Sequence, residues 1–189
     1  MNHLHPTLYL TADEFAAWEL DQPVRYEFFR GEVFQVFAMG GARRVHVAAT
    51  GNCHAALKRH LRGTPCQAFM NDMKVRVLDT GDQFYPDIVV TCDQRDLTAE
   101  LEMHHPKLLV EVLSPSTATF DRGDKFLSYR QLASLEEYAL IDPDTKSVEV
   151  FRRQSNGRDW LLTTGTAAEG LLLVSVDLLI PGAELFENV

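Results

Sequence analysis

The chain contains no apolar run near the roughly eighteen residues that a membrane-crossing helix needs. Its opening, Met1-Asn2-His3-Leu4-His5-Pro6, lacks the basic-then-apolar order of a secretory signal. Both absences argue against a membrane protein and make a cytosolic one the expectation. Cysteine is scarce: Cys53, Cys66 and Cys92 are odd in number, and their spacing fits neither a disulfide framework nor a Cys-x-x-Cys metal hook. They are expected as small buried thiols. Positive charge is also short. Eighteen Lys and Arg against twenty-seven Asp and Glu leave a net charge of −9, which excludes a protein that coats nucleic acid by general attraction. Any contact with DNA must then rest on a local patch, a bridging metal or an assembled oligomer. Internal repeats and low-complexity tracts are missing as well.

What is present is ordinary globular composition. The 189 residues are 46% hydrophobic and 24% charged, which suits one domain over residues 1–189 with a single sizeable core. Thr11-Ala12-Asp13-Glu14 has the hydroxyl and the carboxylate of a capping box, so a helix is expected from there to about Leu20. Val24 to Ala38 reads as two strands around Arg30-Gly31. From Ala42 to about Leu61, the residues Val45, Ala49, Cys53, Ala56 and Leu57 recur at helical spacing, and Gly63-Thr64-Pro65 ends that helix.

Strand character follows over Ala68 to Val77, Tyr85 to Cys92 and Leu108 to Leu113. The last two are short apolar runs without alternation, as in strands buried on both faces. A helix over Asp121 to Leu132, a strand over Glu137 to Ile141, a hairpin partner from Ser147 to Arg152 and strands at Trp160 to Thr164 and Leu171 to Ile180 complete the order. The fold class is therefore α/β or α+β, with a parallel pair predicted for Leu108 to Ile141, where strand, helix and strand succeed one another.

Two acids stand where apolar residues are expected. Asp87 heads an apolar strand on the face of Val89 and Thr91. Glu111, inside Leu108-Leu109-Val110-Glu111-Val112-Leu113, is the sharper anomaly. An ionised carboxylate there costs several kcal/mol unless something positive compensates it. If the strands are neighbours the two acids converge, and their hard oxygens suit Mg²⁺ or Mn²⁺. The bland alternatives are a turn cap for Asp87 and, for Glu111, a structural ion pair with a buried arginine such as Arg76.

The order of several short strings resembles the Uma-type restriction-endonuclease family, a branch of the PD-(D/E)XK nuclease superfamily, over nearly the whole chain. They are Arg25-Tyr26-Glu27 through Gly31-Glu32, His46, Tyr85-Pro86-Asp87, Val110-Glu111-Val112-Leu113-Ser114-Pro115-Ser116, Asp121 with Lys125 and Tyr129, and Glu137-Tyr138 leading to Ile141-Asp142-Pro143. The resemblance implies a restriction-endonuclease-like mixed sheet flanked by helices, with extra strands at both ends. It also implies that Asp87 and Glu111 are the superfamily's two metal-holding acids.

The superfamily's usual lysine, two residues after the second acid, is Leu113 here. Lys125 is the candidate to replace it from the next helix, as migrated lysines do in some relatives; the alternative is a solvated lysine paired with Asp121 or Asp124. Glu32 is a further candidate as a third ligand or as an acceptor behind the ligands, His46 as ligand, base or phosphate contact, and Tyr129 as a hydrogen-bonding support. Solvent exposure, a satisfied half-buried ring and simple packing are their respective alternatives.

Two functions of different class follow. One is a Mg²⁺- or Mn²⁺-dependent nuclease acting on nucleic acid, DNA above all, as a homodimer whose interface includes Leu171 to Ile180. The other is a nuclease-like fold without catalysis that works as an interaction or nucleic-acid-binding module. A purely structural β-rich protein is the third possibility, with Glu111 against a guanidinium.

Overall fold

The computed structural model describes residues 10–36 and 43–189. Thr11 caps the first helix as expected: its hydroxyl accepts from the Glu14 amide, and the Glu14 carboxylate accepts from the Thr11 amide at 2.8 Å, over α1 (Ala12–Glu19). β1 (Tyr26–Phe29) and β2 (Glu32–Gln35) form a hairpin turned at Arg30 and Gly31, both at positive φ. Ala38 and Ala42, expected at the ends of this hairpin and of the next helix, lie outside the described residues. α2 (Arg44–His60) buries Ala49, Cys53, Ala56 and Leu57, the stripe that its spacing predicts.

The segment 68–77 is two strands rather than one. β3 (Gln67–Met70) and β4 (Lys74–Arg76) belong to different sheets, and Asn71 between them adopts φ 61, a left-handed conformation that Asn tolerates. β5 (Gln83–Phe84) and β6 (Ile88–Thr91) are likewise divided between the sheets. Pro86, which has no N–H for either ladder, lies at the crossing. After α3 (Gln94–Leu97) and β7 (Glu102–Met103) comes β8 (Leu108–Val112), buried throughout.

The following helix starts before Asp121 and is interrupted: α4 (Ala118–Phe120), a π turn over Asp121–Lys125, then α5 (Phe126–Tyr129). β9 (Glu137–Asp142), β10 (Ser147–Arg153) and β11 (Trp160–Thr166) form a meander. The apolar run from Leu171 is a hairpin rather than one strand, β12 (Leu171–Leu173) and β13 (Leu178–Ile180), followed by α6 (Gly182–Leu185). Leu171, Leu173 and Ile180 are buried, while the cross-strand partners Leu172 and Leu179 face outward.

The larger sheet has the order β11-β10-β9-β8-β6-β3 and is mixed, because β8 and β9 run parallel as predicted while its other pairs are antiparallel. The smaller sheet is β2-β1-β5-β4-β7. One face of the larger sheet, with Ile88, Val90, Val110 and Val112, packs on α2; the other, with Val89, Leu109, Leu113 and Leu140, packs on Tyr129, Leu132 and Phe84. Each fully buried Leu or Ile contributes about 1.5–3 kcal/mol. Both faces of β6 and β8 are therefore held, which fixes whatever side chains stand at their ends.

Cys66 and Cys92 are joined in a disulfide, against the expectation of separate thiols, while Cys53 is free and buried. Gln67 pairs with Thr91, so the next residues outward face each other across the ladder, a neighbourhood that sequence spacing hides. No helix among the described residues is long and apolar enough to cross a membrane.

Candidate active site

Ile88 pairs with Val110, Val89 with Leu109 and Val90 with Leu108. One further step of that register sets Asp87 opposite Glu111, on the same face of the sheet. Hydrogen bonds cross between the two positions: the Asp87 amide donates to Glu111 Oε2 at 3.3 Å, and the Val112 amide donates to Asp87 Oδ2 at 2.7 Å. The two carboxylates share one environment.

The interrupted helix brings the rest. Four residues overshoot one α-helical turn and undershoot a π turn, so the two drifts offset each other across Asp121, Lys125 and Tyr129. All three consequently face the sheet. Lys125 Nζ lies 2.8 Å from Glu111 Oε1, 3.5 Å from Glu27 Oε1 and 3.8 Å from Asp121 Oδ1. The Tyr129 hydroxyl donates to Glu111 Oε1 at 3.2 Å. Glu27 arrives from β1, where it also accepts the Tyr85 amide at 3.0 Å.

The electrostatics follow from burial. Glu111, Asp121 and Lys125 side chains are only 5–6% exposed. Burial pushes the Glu111 carboxyl well above its usual range; Lys125 opposes this, while Asp121 and Asp87 add to it. Asp121 is raised for the same first reason, against the pull of Lys125. Burial also works against the charge on Lys125, yet Glu111, Glu27 and Asp121 together hold it well above the usual lysine range. The lysine is a fixed cation beside carboxyls that burial drives towards the protonated form.

Other buried acids lie elsewhere. Asp96 accepts the amides of His104 and His105, Glu137 those of Val174 and Ser175, and Asp82 that of Arg30. Glu19 accepts the Tyr26 amide and pairs with Lys74 at 3.0 Å. Each accepts main-chain amides, as Asp87, Glu111 and Glu27 also do, but lies outside the cluster around Lys125.

His46 reaches the site from the first turn of α2, with Nε2 3.4 Å from Asp87 Oδ2, and the ring also hydrogen-bonds to the backbone carbonyl of Val112. The bond to Asp87 raises its pKa above the ordinary 6.5 against the opposing effect of burial. His54, farther along the helix, approaches the Ala68 carbonyl instead. Glu32 sits half-buried on β2, opposite Phe29; the acid of this hairpin that touches Lys125 is Glu27. Arg76 pairs with Asp13 and Glu102, so the cation beside Glu111 is a lysine and no guanidinium.

Glu27 and Asp121 are the members that sequence reasoning did not name as site residues. Glu27 stands between Tyr26 and Phe28 in a strand whose burial alternates, so it reads as an ordinary outward-facing acid, unlike Glu111. Asp121 precedes Lys125 by four residues, a spacing that reads equally well as a solvated helical pair.

Residues 12–185 match the family Uma2, whose description is "Putative restriction endonuclease". The chain belongs to the Uma2 family. It is similar to two proteins of Synechocystis sp. that are both named as uncharacterized. With slr1290 it shares 34% identity over 169 residues, covering 89% of this chain and 87% of that one. With sll1609 it shares 33% over 159 residues, covering 83% and 88%. The mixed sheet with flanking helices agrees with the restriction-endonuclease-like fold of this family.

Proposed function

We propose that this Uma2 protein hydrolyses phosphodiester bonds of nucleic acid, DNA above all, using Mg²⁺ or Mn²⁺ held by Asp87 and Glu111. The observation that carries the reading is their register: two acids directly opposite each other on buried strands. The donor set fits such an ion. Its atoms are hard oxygens, and a cation there would favour the ionised carboxylates that burial opposes at Glu111 and Asp121. Among the described residues no three His, Cys, Asp or Glu side chains form a ready-made metal cage. That suits a cation held by one or two carboxylates and completed by waters and substrate phosphate.

When bound, the ion supplies Lewis acidity towards the phosphate and eases deprotonation of the attacking water. The chain's own residues do the rest. Asp87 and Glu111 are held in place by each other's strand backbone. Lys125, pinned among three acids, offers an ammonium to the charge that develops on phosphorus. Tyr129 fixes the Glu111 carboxylate through its hydroxyl. Cutting both strands of a duplex calls for two such sites, so the proposal includes a dimer, with the outward Leu172 and Leu179 pair as its interface.

The test is cleavage of plasmid and single-stranded DNA with Mn²⁺ by wild type, Asp87→Ala and Glu111→Ala. Wild type should cut, and both variants should lose about 100-fold or more. Equal activity in all three ends the proposal. A second reading, a nuclease-like fold acting as an interaction or nucleic-acid-binding module, draws on the Lys125–Glu111 pair, which neutralises one acid without any metal. Wild-type protein that folds and binds DNA but never cuts it supports that version.

A further inference from the structure

We infer that Cys66 is a modification site. Its disulfide with Cys92 opens by exchange with a small thiol that carries carboxylates, such as glutathione, and Cys66 then holds that thiol in a basic cleft at the end of α2.

The bond joins neighbouring strands at the border of the larger sheet. Gln67 pairs with Thr91, so Cys66 and Cys92 are the next pair outward, and β3 is the last strand on that side. Both cysteines are half-buried, whereas the free Cys53 is fully buried. A sulfur at the surface can be reached by an incoming thiolate, and access is one of the factors that set the rate of exchange.

A cleft of about 330 Å³ opens beside Cys66, lined also by Lys58, Arg62, Thr64 and Gln67. Small-molecule sites have volumes of roughly 300–1,000 Å³. The lining holds two cations and no acid, in a chain whose net charge is −9. Arg59 is committed to Glu184, but among the described residues no ion pair engages Lys58 or Arg62. Their charges are available to carboxylates. The Thr64 hydroxyl donates to the Leu61 carbonyl at 2.8 Å and accepts the Cys66 amide at 3.2 Å, which fixes the cysteine against the end of the helix. A thiol bearing carboxylates thus meets two cations and one reachable sulfur in the same place.

The cleft is lined by Cys66 and not by Cys92, and this decides which sulfur is attacked. The thiolate sulfur bonds to Cys66 Sγ, the bond between the two cysteines breaks, and its electron pair leaves on Cys92 Sγ, which takes a proton from water. In the reverse step the Cys92 thiolate attacks Cys66 Sγ and expels the small thiol. The strand ladder keeps Cys92 within reach for that closure. Cys92 follows β6 at the end opposite Asp87, so this chemistry stands apart from the hydrolytic site and its test does not depend on it.

The experiment treats the oxidised full chain with reduced glutathione, blocks free thiols with an alkylating agent and maps the cysteines by peptide mass spectrometry. In parallel, Cys92→Ser is treated with glutathione disulfide. Wild type should carry glutathione on Cys66 and the alkyl group on Cys92, and Cys92→Ser should accumulate the adduct on Cys66. Lys58→Gln combined with Arg62→Gln alters two exposed side chains, and circular dichroism confirms its folding. It should slow opening by glutathione about 10-fold while leaving opening by the uncharged thiol mercaptoethanol nearly unchanged. An adduct on Cys92 instead of Cys66, no slowing in the double variant, or equal slowing with both thiols overturns the inference. Wild type that takes up no glutathione at either cysteine overturns it as well.

Discussion

Lys125 Nζ lies 2.8 Å from Glu111 Oε1, and both side chains are almost fully buried. Neither charge can be removed alone without stranding the other in a dry setting. Lys125→Ala should therefore destabilise the fold by about 3–5 kcal/mol. Lys125→Ala combined with Glu111→Gln should cost less than the sum of the single changes. Urea unfolding of the four proteins in a double-mutant cycle measures the coupling, and strict additivity would show that the pair does not interact.

His46 and Asp87 give a pH signature. The folded pKa of His46 is raised above 6.5, chiefly by the bond to Asp87. The stabilisation from this pair is thus complete below pH 6.5 and disappears as pH rises through the higher folded value. Asp87→Asn should lower the His46 pKa, since burial then acts with less opposition. Histidine ring titration by nuclear magnetic resonance reads this directly; an unmoved His46 in the variant would show that Asp87 is not its partner.

The Cys66–Cys92 bond spans 26 residues of sequence. Closing a loop of that size stabilises by roughly 3 kcal/mol. Cys66→Ser with Cys92→Ser should lower the melting temperature by several degrees in oxidising buffer, and reductant should lower wild type to the same value. Divalent-ion affinity should not change, because Cys92 follows β6 at the end opposite Asp87. A reductant-insensitive melting temperature would count against the bond.

Much of this site was legible because a buried carboxylate is costly. Glu111 and Asp87 stand out against Leu, Ile and Val, and neighbouring strands then place them together. Their partners were less visible for physical reasons. Asp121 and Lys125 read as an exposed helical pair because nothing in their spacing announces a π turn, which is what turns both inward. Glu27 was hidden because its strand alternates, and an acid between Tyr26 and Phe28 reads as facing outward. The sheet order was partly hidden for a similar reason. Asn71-Asp72 and Val174-Ser175-Val176-Asp177 are turns embedded in apolar surroundings, and each splits what reads as one strand. The Cys66–Cys92 bond depends on strand register, which composition and spacing do not contain.

Calorimetric titration of the intact chain with Mn²⁺, comparing wild type with Asp87→Asn and Glu111→Gln, tests most directly whether these acids act on one ion. One ion per chain in wild type, weakened about 10–100-fold or lost in each variant, is the predicted result. Binding in either variant that matches wild type would contradict the account.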